Sequence, residues 1–391
     1  MGKIVNAFAT VHAPQLFVRP PTEIPEQMDA DIAAMELLAK DLDETKPDVA
    51  IVIGSDHLET FFLSSVPTFA VVAGSTSHAH FANRNWRLPV ALDFADDLMQ
   101  KLLNQGFDMA YSQDAILGHS FAAVYEWIIG SRPIPVVPIF VNTYLPPLPT
   151  PQRCAALGKA LGEFIESRPE KVAVIASGGL SHYPGTWKYP QPAYDFDYWA
   201  IAQMERGNIE PLMALSSEQL DEVGNTEMLP WYFLFGALGA VPGELITYQP
   251  TWHHGHAVMR FIPNKRTAPP VGEIPPAYTF KQGGFEFYKA PKSSAYNLNK
   301  VLYDLRHKQD MRLHFLKEPR VIAAQYGLNK QETDALEMIT DENIDVLRSL
   351  KPHPLVDAGA HPLGMLMCLV VVQAEARRVR AEAAKQGTAS H

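Results

Sequence analysis

Two hydrophobic rhythms alternate along the first two thirds of the chain, and a single one replaces them afterwards. Short runs rich in β-branched residues at Lys3–Thr10, 49–53, 67–73, 134–141 and 171–176 read as strands. Between them, 26–43 (Met28, Ile32, Met35, Leu38, Leu42) and 91–104 (Leu92, Phe94, Leu98, Leu102) carry helical spacing, as do 152–167 and 195–206. Further strands are expected at 244–248 and 257–262, after a helix running to about Leu238 with Asn225 or Thr226 as its N-cap. Alternation of this kind predicts an α/β fold with a mixed sheet covered by helices on both faces.

From 264 to 284 the composition shifts to Pro, Lys and Gly, which marks a linker. Beyond it every apolar pattern is helical, at 296–307, 310–316, 319–326, 330–338, 341–350 and 364–383. The expected organisation is an α/β domain over 1–263, a linker over 264–284 and a smaller all-α domain over 285–391.

A net charge of −10 without any basic block argues against nucleic acid as a partner. Residues 1–10 lack the apolar core of a signal peptide, and the apolar run 365–372 is too short to span a bilayer. Cys154 and Cys368 stand far apart and form no CxxC pair, which fits a reducing cytoplasm. Apolar surface segments and an appended helical domain favour a homodimer or higher homo-oligomer.

In open α/β sheets the ligand crevice lies beyond the carboxyl ends of the strands. His12, His57 and His182 each follow a strand, and His119 precedes a helix. Imidazole is both the commonest metal ligand and the usual acid–base group near neutral pH. Glu227 heads a nearly all-apolar helix, where a buried carboxylate requires a cationic partner. Two His and one carboxylate form the facial triad of non-haem Fe(II) oxygenases; the same set suits catalytic zinc. Asp56 and Glu59 flank His57, where orienting or solvated roles outweigh ligation. His78 and His80 fall in a polar stretch read as a surface loop, and His253, His254 and His256 cluster near the end of the α/β domain.

Several motifs in series resemble the class III extradiol ring-cleavage dioxygenases, the protocatechuate 4,5-dioxygenase and gallate dioxygenase family. Val11-His12-Ala13-Pro14 is similar to that family's first iron motif, and Ser55-Asp56-His57-Leu58-Glu59-Thr60-Phe61 to its second. Gly178-Gly179-Leu180-Ser181-His182 resembles its catalytic His motif. Glu227 stands four residues before Trp231 and nine before Gly236-Ala237-Leu238, which is the family spacing of the carboxylate ligand. Leu117-Gly118-His119-Ser120 corresponds to the motif of a second His near the metal, with different flanks. Tyr296-Asn297-Leu298-Asn299 resembles a motif of the small helical subunit, as though that subunit were fused behind the catalytic one.

The resemblance implies Fe(2+) held by His12, His57 and Glu227, with His182 as general base and acid and His119 as a further donor to oxygen or substrate. It implies extradiol cleavage by O2 of a catecholic or aminohydroxylated aromatic, in aromatic compound catabolism. His253, His254 and His256 lie where relatives carry small hydroxyl or amide residues that hold a substrate carboxylate. The departure points to one of these histidines facing the substrate, and away from protocatechuate itself towards a substituted catechol, gallate, aminophenol or hydroxypyridone. The alternatives are a zinc-dependent hydrolase and a non-catalytic binding protein on the same fold. The first lacks an HExxH-type helix, and the second leaves the coincidence of three ligand types with His182 unexplained.

Overall fold

The computed structural model describes residues 3–264, 273, 275–281, 283–340 and 349–388. Most of the expected helix at 341–350 lies outside the described residues, as do 265–272, 274 and 282 of the expected linker. The chain divides into two compact units. One comprises Met1–Phe61, Ser65–His182 and Gln191–Glu286; the other comprises Phe62–Ser64, Tyr183–Pro190 and Phe287–His391.

The first unit is built on eleven strands among the described residues. They are β1 (Lys3–Thr10), β2 (Val49–Ser55), β3 (Phe69–Val72), β4 (Thr76–Phe81), β5 (Arg84–Pro89) and β6 (Ala110–Ser112), followed by β7 (Ile116–Leu117), β8 (Val136–Val141), β9 (Lys171–Ser177), β10 (Glu244–Pro250) and β11 (Gly255–Ile262). Eight of them form a mixed sheet in the order β10-β11-β1-β9-β2-β8-β3-β6. Its centre is parallel, β1 with β9, β9 with β2 and β2 with β8. β11 and β3 run antiparallel to their inner neighbours.

Side chains alternate across the sheet, so each strand feeds two cores. Ala7, Ala9, Ile51, Ile53, Val172 and Val174 pack towards the helices Leu92–Asn104, Pro151–Glu166 and Leu229–Leu238. Phe8, Ala50, Val52, Ala173 and Ile175 pack towards Pro25–Thr45 and His119–Val124. All seven residues of β2 are buried, as a strand covered on both faces requires.

Two expectations need correction. The polar stretch around His78 and His80 is strand β4, paired with β5 and reversing through Ala82 and Asn83, both with positive φ (48° and 59°). The small residues Ser77 and Ala79 supply its buried side, so no conventional hydrophobic alternation shows. Asn225 and Thr226 do not cap a long helix: a 3-10 turn, Thr226–Met228, precedes the helix Leu229–Leu238, and neither offers a side-chain cap. The Asn225 amide is engaged elsewhere, donating to Asp197 Oδ1 (3.1 Å).

The second unit is helical among its described residues, with Tyr296–His307, Gln309–Phe315, Pro319–Gln325, Lys330–Glu337 and Pro362–Thr388 as its main elements. Leu298, Leu302, Leu305, Phe315, Leu336 and Leu369 form part of its core. Asn329 and Glu332 close a reciprocal capping box at the start of Lys330–Glu337. No helix of the described residues is long and apolar enough to cross a membrane.

Candidate active site

The carboxyl ends of β1, β2 and β9 converge on Glu227. His12 lies two residues past β1, and its Nε2 stands 3.1 Å from Glu227 Oε2. His57 lies two residues past β2, with its Nε2 2.5 Å from Glu227 Oε1. His182 follows β9, with its Nε2 3.6 Å from Glu227 Oε2. His119, at the start of the helix His119–Val124, packs its ring against His57 at 4.0 Å between centroids. All five side chains are buried.

Backbone geometry brings the Gly-Gly segment up to Glu227. Gly178 N–H donates to the Thr10 carbonyl (2.9 Å), and a Cβ on Gly178 would lie 2.0 Å from the Glu227 carbonyl oxygen. Gly179 N–H donates to Glu227 Oε2 (2.9 Å), and a Cβ there would lie 2.0 Å from His254 Nε2. Only glycine allows both approaches.

The hydrogen-bond network sets the tautomers. Ser177 Oγ donates to the Ser120 carbonyl (2.6 Å), so it accepts from His12 Nδ1–H (3.0 Å). His12 Nε2 is then a bare lone pair, and it has no hydrogen-bond partner. His182 donates its Nδ1 hydrogen to the Leu180 carbonyl (2.7 Å), which leaves Nε2 an acceptor. Glu59 holds His119, 3.1 Å from its Nδ1, and also accepts its backbone N–H (3.1 Å). Glu59 thus orients His119 rather than the adjacent His57. Asp56 accepts the backbone N–H groups of Glu59, Thr60 and Phe61 (2.8, 2.9 and 3.0 Å) and so braces the loop that carries His57.

Electrostatics favour a bound cation. Burial drives His12 and His57 towards the neutral form, His57 to about 3. Burial alone would raise the Glu227 carboxyl, but the surrounding imidazoles of His12, His57 and His182 hold it well below the ordinary carboxylate range. Two imidazole nitrogens 2.5–3.1 Å from one carboxylate are spaced as ligands about 2.1 Å from a shared ion would be. The bare Nε2 of His12, turned to Glu227, could serve as a ligand atom. The residues fit a metal centre. His12, His57 and His119 each offer a ligand atom within 4.8 Å of the others, as do His182, Glu227 and His254.

The histidines of 253–256 divide in their contacts. His256 Nδ1 lies 2.7 Å from Asp31 Oδ2, both fully buried. His253 Nε2 lies 3.3 Å from Glu23 Oε1, which also accepts from Trp252 Nε1–H (3.0 Å). His254 stacks on His182, centroids 3.8 Å apart and planes at 15°. Backbone pairing holds that stack, with Gly255 N–H donating to the Ser181 carbonyl (2.9 Å) and Leu180 N–H to the Gly255 carbonyl (3.0 Å).

Comparison with known proteins places this site in a family. Residues 6–259, which carry every side chain named above, match the catalytic LigB subunit of aromatic ring-opening dioxygenase. The chain belongs to this family. It is 33% identical over 175 residues to the 2,3-dihydroxyphenylpropionate/2,3-dihydroxicinnamic acid 1,2-dioxygenase of Klebsiella pneumoniae subsp. pneumoniae, covering 44% of this chain and 55% of that one. The protein of the same name from Escherichia coli O139:H28 is 32% identical over 176 residues, with the same coverage. The chain therefore spans about half the length of the curated relatives it matches. A solved structure of an uncharacterized protein from Escherichia coli K12 aligns with a TM-score of 0.47 at 13% identity, over 66% of this chain and 99% of that one.

Within this LigB-family domain, three residues of the site carry no motif signal. Tyr144 donates its hydroxyl to Glu227 Oε1 (2.9 Å). Ser177 fixes the His12 tautomer from inside the strand end. Asp197 accepts from Ser181 N–H (3.0 Å), Asn225 Nδ2 (3.1 Å) and Tyr248 Oη (2.8 Å), tying the His182 loop to the Glu227 turn. Their sequence contexts are ordinary, and only the folded chain brings them in.

Proposed function

We propose that this chain is an Fe(II)-dependent extradiol dioxygenase that opens the ring of a catecholic or related aminohydroxylated aromatic with O2, within the α/β domain at 1–263. The observation that carries the reading is the inward convergence of His12, His57 and Glu227, at 3.1 and 2.5 Å, in a chain of the LigB family. The names of the relatives, dioxygenases of a 2,3-dihydroxyphenyl acid, support the same substrate class.

His12, His57 and Glu227 would hold the iron. Bound there, iron supplies the electron path between an aromatic diol and O2 that no side chain offers. Two neutral imidazoles and one carboxylate leave net positive charge on a divalent ion, which favours an ionised diol. His182 takes the proton of a substrate hydroxyl at Nε2, because its Nδ1 hydrogen is held by the Leu180 carbonyl. It returns that proton as general acid later in the cycle. His119, turned by Glu59, presents its other ring nitrogen to oxygen or substrate. Of His253, His254 and His256, we assign the substrate-facing role to His254, since its partners face carboxylates and it alone stacks on His182. Burial of every one of these groups keeps bulk water from the reacting atoms.

Anaerobic reconstitution with Fe(II) or Zn(II), followed by O2 uptake across catechols, gallate, aminophenols and hydroxypyridones, tests the reading. Uptake with the Fe(II) form and a coloured ring-fission product are expected. Absence of uptake with every compound rejects it.

A further inference from the structure

The loop after β8 carries a residue that none of the motifs singles out. Tyr144 is 2% exposed, and its ring stands beside that of His57, centroids 5.5 Å apart. Its hydroxyl lies 2.9 Å from Glu227 Oε1 and 3.0 Å from His182 Nε2. The loop is fixed from within: Asn142 Oδ1 accepts from Leu145 N–H (3.0 Å), and Asn142 Nδ2 donates to the Leu145 carbonyl (2.6 Å). Asn142 N–H in turn donates to the Thr68 carbonyl (3.0 Å). Tyr144 is therefore delivered to both side chains by a braced turn.

The hydrogen count limits what its hydroxyl can do. Neutral His182 presents only a lone pair at Nε2, because its hydrogen is on Nδ1. The Glu227 carboxylate presents only lone pairs. A hydroxyl has one hydrogen and two lone pairs on a rotor, so it can donate to either neighbour. No hydrocarbon side chain of the same shape does any of this.

We propose that Tyr144 is a positioning residue whose hydroxyl, seated between His182 Nε2 and Glu227 Oε1, donates to one or the other and sets the spacing of the proton-handling imidazole and the metal-binding carboxylate. The proposal rests on the roles given above to His182 and Glu227. It assigns to Tyr144 two separable effects. Donation to Glu227 orients a ligand carboxylate, and contact with Nε2 fixes the direction from which His182 meets the substrate.

The test uses the full chain with Tyr144→Phe, alone and combined with His182→Ala. Fe(II) affinity is measured anaerobically by competition with a chromophoric chelator, and kcat and KM are measured on the best diol substrate. Affinity is expected to weaken about tenfold, the lower end of what loss of a partner behind a metal ligand costs. A fall in kcat larger than the change in KM is expected, and Tyr144→Phe should add little to the loss already caused by His182→Ala. Wild-type Fe(II) affinity together with wild-type kcat overturns the proposal. So does a full multiplicative loss in the His182→Ala background. Should Tyr144→Phe not fold, 3-fluorotyrosine placed at position 144 keeps the shape and changes the hydroxyl as a donor; an unshifted kcat and affinity then overturn it. If no diol is turned over by the wild type, the dioxygenase reading fails, while the Fe(II) affinities alone still decide whether Tyr144 braces Glu227.

Discussion

His12 turns a hydrogen-free Nε2 towards Glu227 Oε2 across 3.1 Å. Ser177 takes the ring's only hydrogen on the far side, because its own hydroxyl is committed to the Ser120 carbonyl. Two lone pairs facing each other in a buried site repel unless a cation or a proton lies between them. A single metal cation would meet both lone pairs and the Nε2 of His57, 2.5 Å from Glu227 Oε1, which one proton would not.

Removal of a ligand should therefore empty the site without unfolding the domain. His12→Ala and Glu227→Ala are each expected to weaken Fe(II) binding by more than about 100-fold, beyond the range seen for loss of a partner behind a ligand. Metal content after anaerobic gel filtration measures this. Retention of stoichiometric iron by Glu227→Ala would show that another pair of groups holds it.

His182 should separate from the ligands in its phenotype. His182→Ala is expected to keep its iron and to lose roughly 10²–10⁴-fold in kcat, the span typical of a lost general acid–base group. Normal turnover by this variant removes His182 from the proton-transfer role.

Gly178 tests the close approach of the loop after β9 to Glu227. A Cβ at 2.0 Å from the Glu227 carbonyl oxygen forces one backbone segment away from the other. Gly178→Ala is expected to destabilise the domain by about 1–3 kcal/mol, as overpacking does, and to weaken metal binding. Thermal unfolding and metal content together check it; an unchanged melting temperature means the segments yield freely.

Asp197 gives the stability a pH dependence of definite sign. Burial pushes its carboxyl up to about 7, against the opposing donors Asn225, Tyr248 and Ser181 N–H and the nearby His182. The folded state then binds the proton more tightly than the unfolded chain, whose carboxyl titrates near 3.8. This contribution is complete below that value and is lost as pH rises through about 7. Between about pH 5 and pH 8, the metal-free wild type should lose stability relative to Asp197→Asn. Parallel melting-temperature profiles for the two proteins would contradict this sign.

The sheet and the histidines at its strand ends were legible because β2, β8 and β9 are continuous apolar runs broken by Gly, Ser or Asn. The hairpin of β4 and β5 was not, since its buried side is made of Ser77 and Ala79 and its turn lacks an Asn-Gly signal. Glu227 is readable from the apolar helix behind it, whereas its neighbour Asn225 gives no side-chain cap. An Asn before a helix favours capping locally, but here the buried carboxylate of Asp197 competes for its amide. An orienting role for Glu59 is readable from its place beside His57, but which ring it orients is not: past the left-handed turn at Leu58 (φ 56°) it meets His119. Tyr144, Ser177 and Asp197 act across 16 to 165 residues of chain, and no local pattern encodes such pairings.

The most direct measurement is O2 consumption by the anaerobically iron-loaded chain on addition of a 2,3-dihydroxyphenyl acid, with the zinc-loaded chain alongside. Stoichiometric O2 uptake by the iron form alone, with a coloured ring-opened product, is the expected result. No uptake by the iron form with this or any other aromatic diol or aminophenol would contradict the assignment of His12, His57 and Glu227 to a ring-cleaving iron centre.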